Sequence, residues 1–207
     1  MTLILFDFDG VLADTLDDLI KFGQETCNEL GVRHHVVKED LSTLEVMSFS
    51  TYGKQLEVPD HLIEEFVKRC LAKVAGKESP PEIFTGLAEV IRNLSVNNTL
   101  GIVTTNSAQN VKLFLSKHDL EECFREIYGV EQPGSKAEKI SKARNQFAAA
   151  GEAVFMIGDS MSDIRAAIEA SVISIGVGWG HQSVEMLIRA KADKIVDSPK
   201  ELMKIFK

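Results

Sequence analysis

Polar side chains with catalytic potential follow several apolar runs of this sequence, at the points where buried strands are predicted to end. They form an acidic group near residue 7, a hydroxyl and amide group after residue 103, and a second acidic group after residue 158. These residues are Asp7, Asp9, Thr104, Thr105, Asn106, Asp159 and Asp163. Because open parallel sheets bind ligands outside the carboxyl ends of their strands, we predict that these side chains converge at one edge.

The four carboxylates of this set predict a bound cation. Crowded acids repel one another unless a cation neutralises them, and an all-oxygen ligand set suits a hard ion, above all Mg2+. Asp7 and Asp9 would share one face of an extended segment, so one carboxylate could attack a substrate while the other handles a proton. A single Asp after a strand is more often a turn or cap residue, but two acidic groups at equivalent strand ends favour a shared site.

Short runs rich in Ile, Val and Leu alternate with amphipathic stretches along most of the chain. The predicted strands are residues 3–8, 100–104, 126–130, 153–157, 172–177 and 194–196. The predicted helices are residues 107–118, 136–150, 160–170, 181–189 and 199–206. Strand alternating with helix implies right-handed crossovers, so the predicted fold class is α/β with a doubly wound, Rossmann-like parallel sheet.

This alternation breaks after the first strand, because the next strand signal comes only at residue 100. We predict that residues 15–82 form an inserted α-helical domain and that residues 1–14 and 83–207 form the α/β core. The helices of the insert are predicted at 16–30 and 60–75, with further helical structure within 36–56. Thr15 and Asp18 match the T-x-x-D pattern of a capping box at the first of these helices.

Charge and composition exclude several classes of protein. With 44% hydrophobic and 26% charged residues, the chain has the composition of a globular protein and not of a disordered or fibrous one. A net charge of −8 disfavours an extended nucleic-acid-binding groove. Three widely spaced cysteines and the lack of a basic leader or an apolar span predict a cytoplasmic protein with reduced thiols.

The same residues resemble the four motifs of the haloacid dehalogenase superfamily, in their order and their spacing. The motifs are DFDGV at 7–11, Thr104 after an apolar strand, Lys136 after Gly134-Ser135, and GDSMSD at 158–163. The tail GVGWGHQSVEMLIRAKADKIVDSPKEL is similar to the end of the phosphoglycolate phosphatase-like branch. The insert lies where that branch carries a helical cap.

The resemblance implies a Mg2+-dependent phosphatase that acts on a small phosphate monoester. Asp7 would be the nucleophile that forms an aspartyl-phosphate. Asp9 would be the general acid and then the base, and its backbone carbonyl would also ligate the metal. Asp159 would complete the protein ligands, and Asp163 would ligate directly or through water.

Phosphate binding would fall to a further group of residues. The resemblance implies that the Thr104 hydroxyl donates to a phosphoryl oxygen and that amides around Thr105 and Asn106, at a helix N-terminus, favour the same anion. Lys136 would neutralise charge on both the nucleophile and the phosphate. The branch usually has Gly directly before this Lys, whereas Ser135 intervenes here, so Lys139 stays a second candidate.

Three other functions share parts of this pattern. A 2-haloacid dehalogenase also uses an Asp nucleophile, but its reaction gives Asp9 no leaving oxygen to protonate. A sugar phosphomutase resembles the first motif, but no basic residue soon after Asp14 supports it. A receiver-like phospho-acceptor module is disfavoured by the insert and by GDSMSD. The expected partner is a small phosphorylated metabolite, bound by a monomer or homodimer that contacts neither nucleic acid nor membrane.

Overall fold

Six parallel strands form the central sheet in the computed structural model of this chain, which describes residues 1–77 and 79–206. From one edge to the other they are β5 (Glu126–Tyr128), β4 (Asn98–Val103), β1 (Thr2–Phe6), β6 (Val154–Gly158), β7 (Ile173–Val177) and β8 (Lys194–Val196). The chain passes from β1 through β4 to β5 and then returns to the other side of β1 for β6. The predicted doubly wound parallel sheet is confirmed.

Helices cover both faces of this sheet because alternate residues of each strand point to opposite sides. The helices of the core are α5 (Leu87–Asn97), α6 (Ala108–Lys117), α7 (Lys136–Phe147), α8 (Met161–Glu169), α9 (Val184–Arg189) and α10 (Pro199–Ile205). In β1, Ile4 and Phe6 pack in one apolar cluster, with residues of α5, α6 and α10, whereas Leu3 and Leu5 pack in a second cluster, with residues of α7 and α8.

Three elements illustrate how the structure departs from the sequence prediction. Strand β1 ends at Phe6, because the chain turns at Phe8, whose carbonyl accepts hydrogen bonds from the Leu12 and Ala13 amides. Helix α5 lies outside the predicted helices, although it buries an apolar stripe on the sheet. Helix α9 begins at Val184 and not at residue 181, since residues 181–183 form other hydrogen bonds.

The segment 15–82, called the helical insert below, packs around an apolar cluster of its own that includes Tyr52 and Phe66. Its helices are α1 (Leu16–Glu29), α2 (Glu39–Ser42), α3 (Phe49–Gln55) and α4 (Ile63–Ala75), with a 3-10 turn at Asp60–Leu62. Two short antiparallel strands, β2 (Ala13–Asp14) and β3 (Glu82–Ile83), pair where the chain enters and leaves it. Glu78, in the predicted insert, and Lys207, at the end of the predicted core, lie outside the described residues.

The prediction of a capping box at the start of α1 is wrong, because the described Thr15 side chain makes no capping hydrogen bond. The Thr15 hydroxyl lies 3.0 Å from Nε2 of His181, and the Asp18 carboxylate pairs with Lys77. Both side chains therefore serve contacts distant in sequence rather than the first turn of their own helix. Within the same described ranges, no helix combines the length and apolar character that crossing a bilayer requires.

Truncation of Phe66 should destabilise the protein, because it removes a large side chain from the apolar cluster of the insert. Phe66 is fully buried on α4 and its ring lies 6.0 Å from that of Tyr52. We expect Phe66→Ala to lower the free energy of unfolding by about 3–5 kcal/mol, because a large buried side chain leaves a cavity. Leu71→Ala, on the same helix but 52% exposed, should change it by less than about 0.5 kcal/mol. Urea unfolding followed by circular dichroism measures both, and equal effects would contradict this packing.

Candidate active site

The acidic groups meet beside β1 and β6, the two strands between which the chain order reverses. Asp7 follows β1 and Asp159 follows β6, and the Asp7 amide donates to the Ile157 carbonyl at 2.8 Å. Asp163 joins them, so that one carboxylate oxygen from each of the three residues lies within 4.8 Å of the others. The structure thus brings together residues separated by about 150 positions at the sheet edge where ligands of such folds bind.

The turn after β1 depends on glycine at position 10. Gly10 has φ of +79°, which side-chain-bearing residues rarely adopt. A Cβ atom there would also lie 2.1 Å from Oδ2 of Asp159. Gly10 therefore permits the close approach of the Asp7 loop and the Asp159 loop.

Asp163 is held rigidly in the first turn of α8. It is fully buried, and its Oδ2 accepts hydrogen bonds from the Ser160 amide at 3.1 Å and the Ser160 hydroxyl at 2.6 Å. Ser160 in turn caps α8 by accepting from the Asp163 amide. This capping box directs the other carboxylate oxygen of Asp163 toward the cluster.

Lys136 is the cation of the cluster. Its Nζ lies 2.9 Å from Oδ1 of Asp7 and donates to Oδ1 of Asp163 at 2.5 Å. Ser135 caps α7 in a capping box with Glu138, so the inserted serine places Lys136 at the first helical position. The second candidate, Lys139, instead donates to the Gly129 carbonyl at 2.7 Å and does not reach the acids.

Burial and mutual repulsion set the protonation of these groups. Burial raises the pKa of Asp7 well above its usual range, and the charges of Asp163 and Asp159 add to this against the opposing effect of Lys136. Burial, followed by the charge of Asp163, raises the pKa of Asp159 to about 7. Burial alone would lower the pKa of Lys136, but the two acids it contacts outweigh burial and raise it. Lys136 is therefore charged, while Asp7 and Asp159 require further positive charge to ionise fully.

The donor set fits a hard divalent cation such as Mg2+. Asp7, Asp159 and Asp163 supply only oxygen atoms, and one lysine leaves them short of neutralising charge. Both oxygens of Asp163 already accept from Lys136 or Ser160, so this residue is suited to orienting its neighbours. The Asp9 carboxylate lies apart from the three and accepts from Asn106 Nδ2 at 3.0 Å.

Asn106 has different partners from those expected. Its backbone amide donates to Oγ1 of Thr104 at 2.9 Å, and its side-chain amide donates to Oδ2 of Asp9 at 3.0 Å. The contact of Asn106 with phosphate stays a prediction. The N-terminus of α6 is likewise occupied by the Glu131 carboxylate, which accepts from the Ala108 amide at 3.1 Å. Thr104 is buried behind these contacts, whereas Thr105 is exposed.

His181 is a residue of the site that the sequence analysis places in a helix instead. It is buried, its amide donates to Oδ2 of Asp159 at 2.7 Å, and its ring contacts the Thr15 hydroxyl. Burial lowers the pKa of His181, which favours the neutral imidazole. Its position shortly after β7 was a signal for it, although Gly178, Trp179 and Gly180 separate it from the strand.

The chain is similar to known proteins along most of its length. The profile of the family described as haloacid dehalogenase-like hydrolase matches residues 4–177. The phosphoglycolate phosphatase of Synechococcus elongatus is 26% identical over 98% of this chain and 96% of its own. Pyrophosphatase PpaX of Listeria innocua is 27% identical over 99% and 96%. A haloacid dehalogenase-like hydrolase from Streptococcus pneumoniae has the same fold, with a TM-score of 0.85, 24% identity and coverage of 100% and 99%.

The raised pKa of Asp159 predicts an unusual dependence of stability on pH in the metal-free protein. A carboxyl whose folded-state pKa lies above its unfolded value of about 3.9 binds its proton more tightly when folded. Its contribution is therefore fully present below about pH 4 and is lost as pH rises to about 7. In EDTA, we expect Asp159→Asn to exceed the wild-type chain in unfolding free energy at pH 8 by about 1 kcal/mol or more.

Urea unfolding across this pH range measures the effect. The exposed Asp17 offers a matched control, because Asp17→Asn removes the same charge outside the cluster and should follow the wild-type profile. A wild-type chain more stable than Asp159→Asn at pH 8 in EDTA would contradict the assigned direction.

Proposed function

The chain belongs to the haloacid dehalogenase-like hydrolase family, and on this premise we propose that it is a Mg2+-dependent phosphatase that hydrolyses a small phosphate monoester. The observation that carries the proposal is the contact of Lys136 with both Asp7 and Asp163 beside Asp159, in a buried cluster at the reversal point of the sheet. Two relatives are named phosphoglycolate phosphatase and pyrophosphatase, and this chain matches nearly their whole length. Their names support the same reaction class.

The metal would be held by Asp7, Asp159 and the Asp9 backbone carbonyl. Asp163 would orient these ligands. When bound, Mg2+ would supply Lewis-acid stabilisation of negative charge on the phosphoryl group. Asp163 suits the supporting role because its two oxygens are already held by Lys136 and Ser160. Asp163 would contact the metal through a water molecule rather than directly.

Asp7 is the nucleophile of the proposed reaction. One of its carboxylate oxygens attacks phosphorus, so that an Asp7 oxygen-phosphorus bond forms while the ester oxygen-phosphorus bond breaks. Lys136 contacts Oδ1 of Asp7 at 2.9 Å and orients this carboxylate, and the charges of Lys136 and of a bound metal together would keep it ionised despite its burial. The product of the first step is an aspartyl-phosphate and an alcohol.

Asp9 carries the proton in both steps. It first protonates the departing alkoxide, and then takes a proton from the water that hydrolyses the aspartyl-phosphate to release inorganic phosphate. The bond from Asn106 to Oδ2 of Asp9 fixes the orientation of this carboxyl and leaves its other oxygen for the transferred proton. Asn106 is thus proposed as a positioning residue for Asp9 rather than as a phosphate ligand.

Thr104 and Lys136 bind the phosphoryl group in this proposal. The Thr104 oxygen accepts from the Asn106 amide, which leaves its hydroxyl hydrogen free to donate to a phosphoryl oxygen. Lys136 is buried enough for its charge to act at short range with little screening. Thr105 stays a proposed contributor through its backbone amide.

The helical insert acts as the cap of the proposed enzyme. Exclusion of bulk water favours attack by Asp7 and protects the aspartyl-phosphate, and movement of the cap admits substrate and releases product. Phosphoglycolate and pyrophosphate are the first substrates to test, given the names of the relatives. The three cysteines are all free thiols, which fits a proposed cytoplasmic location.

Release of inorganic phosphate across a panel of phosphorylated metabolites tests the proposal. With Mg2+, we expect steady turnover of at least one small monoester, and a loss on the order of 10^3-fold or more in Asp7→Asn, because the amide cannot attack phosphorus. EDTA should abolish release by the wild-type chain.

Asp17→Asn is the control for removal of an aspartate charge and should retain wild-type turnover, since Asp17 is exposed on α1. Unchanged activity in Asp7→Asn would eliminate Asp7 as the nucleophile. Transfer of only about one equivalent of phosphate to the protein, with no further release, would point to a phospho-acceptor module instead of an enzyme.

A further inference from the structure

Residues 181–183, called the bridging loop below, contact both the acidic cluster and the helical insert. On one side the His181 amide donates to Oδ2 of Asp159. On the other side the Ser183 amide donates to the Ser42 carbonyl of the insert at 3.1 Å. The loop therefore lies between a proposed metal ligand and the end of α2.

Gln182 joins these two sides through one side chain. Its Oε1 accepts from the Met161 amide at 2.7 Å, and its Nε2 donates to the Leu44 carbonyl of the insert. Gln182 is only 2% exposed, so both bonds are shielded from water. Met161 is the first residue of α8, and Gln182 thereby satisfies one of the amides that a helix N-terminus leaves without an intrahelical partner.

These bonds make the first turn of α8 sensitive to the position of the insert. That turn holds Ser160 and Asp163, and Asp163 orients Lys136. If the Leu44 carbonyl moves away, the Gln182 amide group loses a buried partner and is free to reorient toward water. The Met161 amide then loses its acceptor, and the order of the acidic cluster decreases.

We propose that Gln182 is a positioning residue that couples contact of the insert with the core to the geometry of the acidic cluster. The proposal rests on the proposed function in one respect, that the cluster binds Mg2+. Coupling between two equilibria is reciprocal, so Mg2+ binding at the cluster should also strengthen the contact of the insert. Closure of the cap and ordering of the metal site would then occur together, as one equilibrium.

Hydrogen–deuterium exchange of the full chain, with and without saturating Mg2+ and with no substrate, tests this coupling. We expect Mg2+ to slow exchange about fivefold or more in the peptides that contain residues 42–45 and the Ser183 amide. Gln182→Met, which has a similar side-chain volume but no amide group, should abolish this Mg2+-dependent protection. Saturating Mg2+ removes any effect of the variants on metal affinity itself.

Arg189→Ala provides the matched control. Arg189 pairs with Glu45 of the insert at 2.8 Å, but this pair is exposed to solvent. The variant removes one contact between core and insert while leaving Gln182 in place, so it should retain the protection. Loss of protection in Arg189→Ala equal to that in Gln182→Met would overturn the assignment to Gln182.

Gln182→Glu separates coupling from simple helix capping. Its carboxylate can still accept from the Met161 amide but cannot donate to the Leu44 carbonyl, so we expect it to lose the protection as Gln182→Met does. Protection kept in Gln182→Glu but lost in Gln182→Met would assign Gln182 to capping of α8 alone and overturn the proposal. Protection that persists in both variants, or is absent from the wild-type chain, would overturn it as well.

The exchange measurement fails independently of the phosphatase assay, because it uses Mg2+ alone. A chain that shows Mg2+-dependent protection but releases no phosphate would refute the proposed reaction and not the coupling. A chain that hydrolyses a phosphate monoester without this protection would refute the coupling and not the reaction. In the active enzyme, Gln182→Met should lower kcat more than it changes KM, since it removes positioning and not a substrate contact.

Discussion

Three carboxylates and a single lysine are enclosed together in this molecule, and this concentration of charge governs how the site is built. Asp7, Asp159 and Asp163 are withdrawn from water, and the charge of Asp163 raises the cost of ionising the other two. Lys136 offsets part of this cost through direct contact with two of them. The arrangement favours additional positive charge, and a hard divalent cation supplies it with the oxygen ligands that it prefers.

Such a cluster forms only where the surrounding backbone forces it. The reversal of strand order beside β1 places two strand ends next to each other, and Gly10 lets their loops approach within contact distance. Capping boxes at Ser135 and Ser160 fix the first turns of two helices and with them Lys136 and Asp163. Local rules of helix capping thus become determinants of electrostatics, because each cap orients a charged side chain.

The sequence predicts the core better than the insert and its connections. Buried parallel strands are short continuous apolar runs, which is why all six strands of the main sheet are identifiable from composition. Helix α5 is not predicted, because no distinct turn signal separates its apolar stripe from the strand that follows. The pair β2–β3 is not predicted, because two-residue strands are too short to show periodicity. The capping pattern at Thr15 gives a wrong prediction, because the distant His181 competes for the Thr15 hydroxyl.

Local hydrophobicity and residue type suffice to predict the alternation of strand and helix, the helical stretch between β1 and β4 and the acidic residues at the strand ends. Contacts between distant elements instead select Lys136 over Lys139 as the partner of the acids, Asn106 as the partner of Asp9, and Gln182 as the link from the insert to α8. The reason is that a long polar side chain reaches several possible partners. Which one it meets depends on elements distant in sequence, and burial then makes that single hydrogen bond costly to lose.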